Sequence, residues 1–285
     1  MTPSLAQDKP RDDKLKVVAT FSILGDLVRE VGGDRISLTT LVGANGDAHV
    51  YSPTPADART VGQAKLVFVN GLGLEGWLPR LAGAGKRTTV VVSKGVRPLK
   101  EEGAHGHGHA DTDPHAWQSV ANVKIYVGNI RDALAKADPA GKSTYDANAT
   151  GYLAKLDALE REITDAVAKI PADRRKIITT HDAFGYFAKA YGIRFISPAG
   201  VSTEAEVSAR DVAKIISQIR REKIPAVFLE NVSDPRLIQQ IARETGARIG
   251  GTLYSDALSD KDGPAATYLD MMRNNIRQFA TALTG

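Results

Sequence analysis

Short apolar, mostly β-branched runs recur along this chain, and most are followed by a stretch whose apolar residues fall three and four apart. Leu15 to Ile23 (LKVVATFSI) predicts a first buried strand, with helix-like spacing from Leu24 to Val31 before the Gly32-Gly33 break. A second strand, Ile36 to Val42, runs into GANGDAH. Thr54-Pro55-Ala56-Asp57 then supplies a Thr cap, Pro at the first helical position and an acid three residues after the cap. Lys65 to Asn70 and Thr88 to Ser93 predict two further buried strands, separated by a helical LEGWLPRLAG. Such alternation favours a parallel sheet.

From Lys94 to Thr112 the pattern is irregular and carries EEGAHGHGHA, after which Asp113-Pro114 predicts a capped helix with His115 in its first turn. Helical spacing follows over Val120 to Lys136, and again, past Asp138-Pro139, from Lys142 to Ile170. At 1.5 Å per residue the second of these would extend about 43 Å, enough to serve as a rigid spine between two lobes. Beyond it, strand and helix alternate again. The strands are KIITT ending at His181, Ile193 to Ile196, Val227 to Glu230 and Ala247 to Tyr254; the helices are Ala209 to Arg221, Asp234 to Thr245 and a closing Pro264 to Leu283. The expected fold is α/β: two lobes, each a mostly parallel sheet flanked by helices, joined by one long rigid helix. The boundaries fall at residues 14–140, 141–170 and 171–285, behind a disordered mature N-terminus over 1–13.

Charge changes this picture little. A net +4 from 37 basic and 33 acidic residues leaves no concentrated basic patch, so no nucleic-acid partner is expected. No run approaches the roughly 18 to 20 apolar residues of a membrane span. The polar start lacks the apolar core of a signal peptide, but Ser4-Leu5-Ala6 has the small-x-small form of a signal-peptidase site. A secreted, periplasmic protein with its signal peptide removed fits that start; so does a disordered native terminus.

Candidate chemistry sits where the strands end. The chain has no cysteine, so any transition metal must be held by nitrogen and oxygen. A lone histidine is more often a hydrogen-bonded surface or core residue than a ligand. The joint pattern says more: His49, His181 and Asp256 all follow predicted strand ends and His115 opens a helix, so side chains of both lobes could meet in the cleft between them. Three neutral imidazoles and a carboxylate would close a tetrahedral zinc site. A catalytic zinc keeps water in its fourth position, so a carboxylate there points to binding and release rather than hydrolysis.

The stretches VATFSILGDLV, GDAHVYSPTPAD, DPHAW, THDAFGYFAKAYG, GVSTEAEVSARD and LYSDALSDKDGPAATYLDMM resemble the metal-binding solute-binding proteins of ABC importers, from about Leu15 to Leu283. The zinc-type members, ZnuA-like and above all AztC-type, are the most similar. The resemblance implies a metal site at His49, His115, His181 and Asp256, and two α/β lobes joined by a long helix. Manganese-type members place Glu at the third position, so His181 implies Zn2+ as the transported ligand, a preference that softer imidazole nitrogen supports. It further implies an extracytoplasmic receptor, monomeric by the family's default, that hands Zn2+ to a cognate ABC permease and meets the membrane only through it.

Zinc-type members often carry a long His-rich loop before the second ligand; here only His105, His107 and His109 alternate with glycine. That loop reads either as an auxiliary zinc-collecting arm and docking site for a periplasmic zinc metallochaperone, or as a plain polar loop. Asp47, Asp113, Glu204, Glu206 and Glu230 are candidates for orienting the ligand rings, and Trp117 or Tyr254 for walling the site from water. Three imidazoles with ordinary pKa values near 6.5 predict an affinity that falls towards pH 5. The rival readings are a manganese receptor or adhesin of the same fold and, more distantly, a zinc hydrolase. No HExxH helix or GxSxG elbow supports the last.

Overall fold

The computed structural model describes residues 14–81, 88–100, 112–204 and 207–284. Strands β1 (Leu15–Phe21), β2 (Ile36–Val42), β3 (Leu66–Val69) and β4 (Thr88–Val91) form a parallel sheet in the order β2-β1-β3-β4. Two residues expected to end the first strand, Ser22 and Ile23, instead begin helix α1 (Ser22–Gly32). Helix α2 (Pro55–Gln63) starts at the predicted cap: the Thr54 side chain accepts the Asp57 amide and the Asp57 carboxylate accepts the Thr54 amide.

Two predicted helices of this lobe are absent among the described residues. Within LEGWLPRLAG the described residues form only a 3-10 turn, Leu78–Leu81. Pro79 supplies no amide for a longer helix, and Glu75 spends its carboxylate on the amides of Asn70 and Gly71 instead. At Asp113-Pro114 no α-helix begins. Residues Leu99–Lys100 (β5) and Thr112–Asp113 (β6) pair as a small antiparallel ribbon, a 3-10 turn covers Ala116–Gln118, and helix α3 (Val120–Ala137) starts only afterwards. Asp113 is drawn to the amide and ring of His115, so its carboxylate is not free to cap a longer helix.

Helix α4 (Lys142–Ala168) is the long connector. It stops two residues short of the predicted end because the chain turns ahead of Pro171. Its buried stripe, Tyr145, Ala149, Tyr152, Leu156, Leu159, Ile163 and Val167, advances by three or four residues at each step. The stripe packs on α1 and α3 of the first lobe and on the closing helix α8 (Tyr268–Thr284).

The second lobe repeats the plan. Strands β7 (Lys176–Ile178), β8 (Arg194–Ile196), β9 (Ala226–Glu230) and β10 (Arg248–Leu253) lie parallel in the order β10-β9-β7-β8, with α5 (Gly185–Tyr191), α6 (Ala209–Glu222) and α7 (Pro235–Thr245) as crossovers. The strand order reverses between β7 and β9, which places a crevice beyond their carboxyl ends. One cluster of buried apolar residues runs through both lobes and α4, and a smaller one lies beneath α6 and α7. Phe279 of α8 meets Phe184, Phe187, Phe195 and Phe228 edge-on, at centroid distances from 5.5 to 6.2 Å. The shared core welds the lobes along one side and leaves the strand ends facing each other.

Candidate metal centre

Each of the four predicted ligands sits on a loop pinned by its neighbours. In the loop after β2, Asp47 Oδ1 accepts the His49 amide at 2.8 Å, while its Oδ2 accepts the Thr203 hydroxyl of the other lobe at 2.7 Å. The indole of Trp77 donates to Ala48 O at 2.7 Å, and Tyr51 Oη donates to Asp57 Oδ2, the carboxylate that caps α2. His49 is therefore held from three sides.

His115 owes its orientation to Asp113, whose Oδ1 accepts the His115 amide at 2.9 Å and lies 2.8 Å from ring Nδ1. Gly185, at the start of α5, makes room for this carboxylate: a Cβ there would stand 2.5 Å from Asp113 Oδ2. A second support comes from the ends of β1 and β3. Buried Glu75 accepts the Thr20 hydroxyl and the amides of Asn70 and Gly71, and Asn70 Nδ2 donates to Pro114 O at 2.9 Å, just ahead of His115. Burial pushes the Glu75 carboxyl above its ordinary pKa despite these donors.

His181 lies just beyond β7, at the reversal of strand order. Glu230, the last residue of β9, accepts the amides of Thr180 and His181 on Oε1, at 2.6 and 3.0 Å. Its Oε2 lies 2.6 Å from His181 Nδ1, close enough to pair though not aligned as a hydrogen bond. Asp256 follows β10 and is wholly buried.

The structure brings His49, His115, His181 and Asp256 together, with one donor atom of each within 4.8 Å of all the others. His49 Nε2 is 3.2 Å from His115 Nε2 and 3.3 Å from Asp256 Oδ2; His115 Nε2 is 3.4 Å from Asp256 Oδ1, and His181 Nε2 is 3.1 Å from Asp256 Oδ2. Donor atoms bound tetrahedrally at about 2.0–2.1 Å stand about 3.3 Å apart, so these gaps suit one small ion. Both Asp256 oxygens and His181 Nε2 are buried without a hydrogen-bond partner, an arrangement a cation would relieve. The donor set therefore fits a divalent metal ion.

Electrostatics point the same way. Burial disfavours the His115 cation, but Asp256 and Asp113 outweigh it and push its pKa up to about 9. Burial likewise opposes the His181 cation, yet Glu230 and Asp256 hold its pKa well above the ordinary imidazole value. Asp256 stays well below the usual carboxylate range, because the two imidazoles overcome the cost of burial. Asp113, Glu230 and Asp256, buried around the His115 and His181 rings and without a Lys or Arg salt bridge among the described residues, outnumber those two rings and favour a bound cation.

Of the five acids considered for orienting rings, Asp113 and Glu230 touch them. Asp47 holds the His49 backbone, Glu204 is an exposed residue lining the cleft, and Glu206 lies outside the described residues. Trp117 packs against the His115 ring with centroids 5.3 Å apart, while Tyr254 is buried nearby in sequence and ties its backbone to Asn275. His105, His107 and His109 lie outside the described residues. Asn70 and Glu75 were not singled out by pattern; an acid within the apolar LGLEGWL was the available signal. A cleft of about 680 Å3, lined by Tyr51, Trp77, Arg80, Val201 and Glu204, leads to His49, the ligand candidate nearest solvent.

Residues 17–282 match the family described as zinc-uptake complex component A, periplasmic. The chain belongs to this family. It is 36% identical over 282 residues to the iron-binding protein YfeA of Yersinia pestis, covering 98% of this chain and 90% of that one. It is also 36% identical to the manganese-binding lipoprotein MntA of Halalkalibacterium halodurans, over 95% of this chain and 89% of the relative. The periplasmic zinc-binding protein TroA of Treponema pallidum superposes with a TM-score of 0.88 at 31% identity, over 95% of this chain and all of that chain. The family consists of metal-binding, substrate-binding receptors that work with ABC transporters, and the two-lobed fold with its long helix is that of its solved members. No helix among the described residues is long and apolar enough to cross a membrane.

Proposed function

We propose that this chain is an extracytoplasmic receptor that binds one Zn2+ through His49, His115, His181 and Asp256 and delivers it to an ABC permease. The observation that carries this reading is the donor set: three imidazole Nε2 atoms and one carboxylate, all within 4.8 Å and with no sulfur. Imidazole nitrogen suits zinc, whereas manganese and other harder ions favour oxygen. Asp256 occupies the place a catalytic zinc would leave to water, which favours capture and release over hydrolysis. The cleft beside His49 offers the ion its approach, and His115 and His181 lie deeper, fully enclosed. A manganese or iron cargo is the second reading, favoured by the relatives named for those metals.

Zinc outranks manganese at most nitrogen- and oxygen-donor sites, so the zinc-to-manganese ratio of the purified chain separates the two only when it is read beside that of His181→Glu. The parent should bind zinc at least tenfold more tightly, and His181→Glu, which exchanges a nitrogen donor for oxygen, should move the ratio towards manganese by about tenfold or more. A parent that prefers manganese, or a ratio unmoved by His181→Glu, would overturn the zinc assignment.

A further inference from the structure

Asp256 follows the last strand of the second sheet, yet its peptide is gripped by the first lobe. Trp117 Nε1 and Gln118 Nε2 both donate to Ser255 O, each at 2.8 Å. These two bonds use both lone pairs of that carbonyl and so fix the planar peptide that leads into Asp256. On the far side of Asp256, the Leu258 amide donates to Ser22 Oγ at 3.0 Å and Leu258 O accepts the Asn45 amide at 2.9 Å. The loop's ties to its own lobe lie at Tyr254, bonded twice to Asn275, and at Ala257 O, which accepts Asn231 Nδ2 at 3.3 Å.

The clamp is built into the segment that carries His115. Trp117 and Gln118 are fully buried, Tyr268 Oη donates to Trp117 O at 2.8 Å, and the Trp117 ring rests on Phe21 and His115. Gln118 Oε1 is buried without a partner, a cost tolerated for the sake of its Nε2 donor. One short run, from Asp113 to Gln118, therefore both presents His115 and holds Asp256.

We propose that Trp117 and Gln118 are positioning residues that fix Asp256 to the N-terminal lobe. His49, His115 and Asp256 then form one unit on that lobe, and His181 is the single ligand that the C-terminal sheet brings. His181, with Glu230 behind it, is then the ligand whose placement comes from the second sheet alone. The inference rests on the metal-binding reading above.

The test uses Co2+ alone as the probe, because its visible spectrum reports its ligands, on the full chain with Gln118→Leu and, separately, Trp117→Phe. Each removes one N–H donor to Ser255 O while keeping an apolar side chain of similar bulk. Each should weaken Co2+ binding about tenfold in the parent and in a His181→Ala background, and should shift the parent's spectrum towards that of Asp256→Ala. In an Asp256→Ala background Gln118→Leu should have no further effect, since a residue acting only through Asp256 has nothing left to act on, whereas Trp117→Phe keeps the part of its effect that runs through the His115 ring. Equal weakening in the Asp256→Ala background, or none in the parent, would overturn the proposal. Should Trp117→Phe fail to fold, Gln118→Leu carries the same test. A parent that binds no Co2+ would instead refute the metal-binding reading itself.

Discussion

Lowering the pH from 7.5 to 5.5 should weaken metal binding by about four orders of magnitude, roughly a hundredfold per unit. In the metal-free site His115 has a pKa of about 9 and His181 lies well above the ordinary value, so both rings carry protons at neutral pH. An incoming ion must displace both, whereas Asp256, held well below the usual carboxylate range, is already charged. Ordinary imidazoles would begin to lose affinity only near pH 6.5, as the sequence suggested; here the loss sets in already as the pH falls through about 9.

The sign reverses for the metal-free fold. His115, with its folded pKa raised above the unfolded value, adds stability that is fully present below about pH 6.5 and is lost as the pH rises through about 9. The metal-free protein should thus soften towards pH 9 while the metal-loaded one gains affinity. Calorimetry in buffers of different ionisation enthalpy should count about two protons released per ion at pH 7.5. An affinity flat between pH 7.5 and 5.5, with no proton release, would show that these two rings are not ligands.

Glu230→Gln should reduce metal affinity by about 10- to 100-fold while changing the shape of the site very little. The native carboxylate takes two backbone amides on Oε1 and faces His181 Nδ1 with Oε2. When an ion displaces one proton from this ring, the carboxylate keeps the other on Nδ1, so that Nε2, the atom turned to Asp256, is the one freed to bind. Glutamine cannot do both. With its oxygen on the amides, its NH2 faces Nδ1 and drives the proton to Nε2; turned the other way, its NH2 meets the N–H groups of Thr180 and His181. Titration with a competing chelator reads the loss, and parent-like affinity in Glu230→Gln would mean that His181 needs no such partner.

Much of this was legible along the chain. Strand ends delivering His49, His181 and Asp256 follow from local apolar patterning, and the Thr54 cap sits where Pro at the first helical position indicated. Failures came where side chains outbid local propensity for the backbone. Asp113-Pro114 has the form of a helix start, yet the Asp113 carboxylate goes to His115; LEGWLPRLAG has helical spacing, yet Glu75 turns back to the end of β3. Neither preference is visible without the partner, which lies across the fold. The grip of Trp117 and Gln118 on Ser255 spans more than a hundred residues and belongs to the same class. Sequence order alone assigned Asp256 to the second lobe, and only packing attaches it to the first.

The most direct measurement of the central claim is X-ray absorption at the zinc edge on the one-to-one zinc complex. Three imidazole nitrogens and one carboxylate oxygen, all at about 2.0–2.2 Å, are predicted. A shell with fewer than three imidazoles, or an oxygen-rich six-coordinate one, would contradict the site formed by His49, His115, His181 and Asp256.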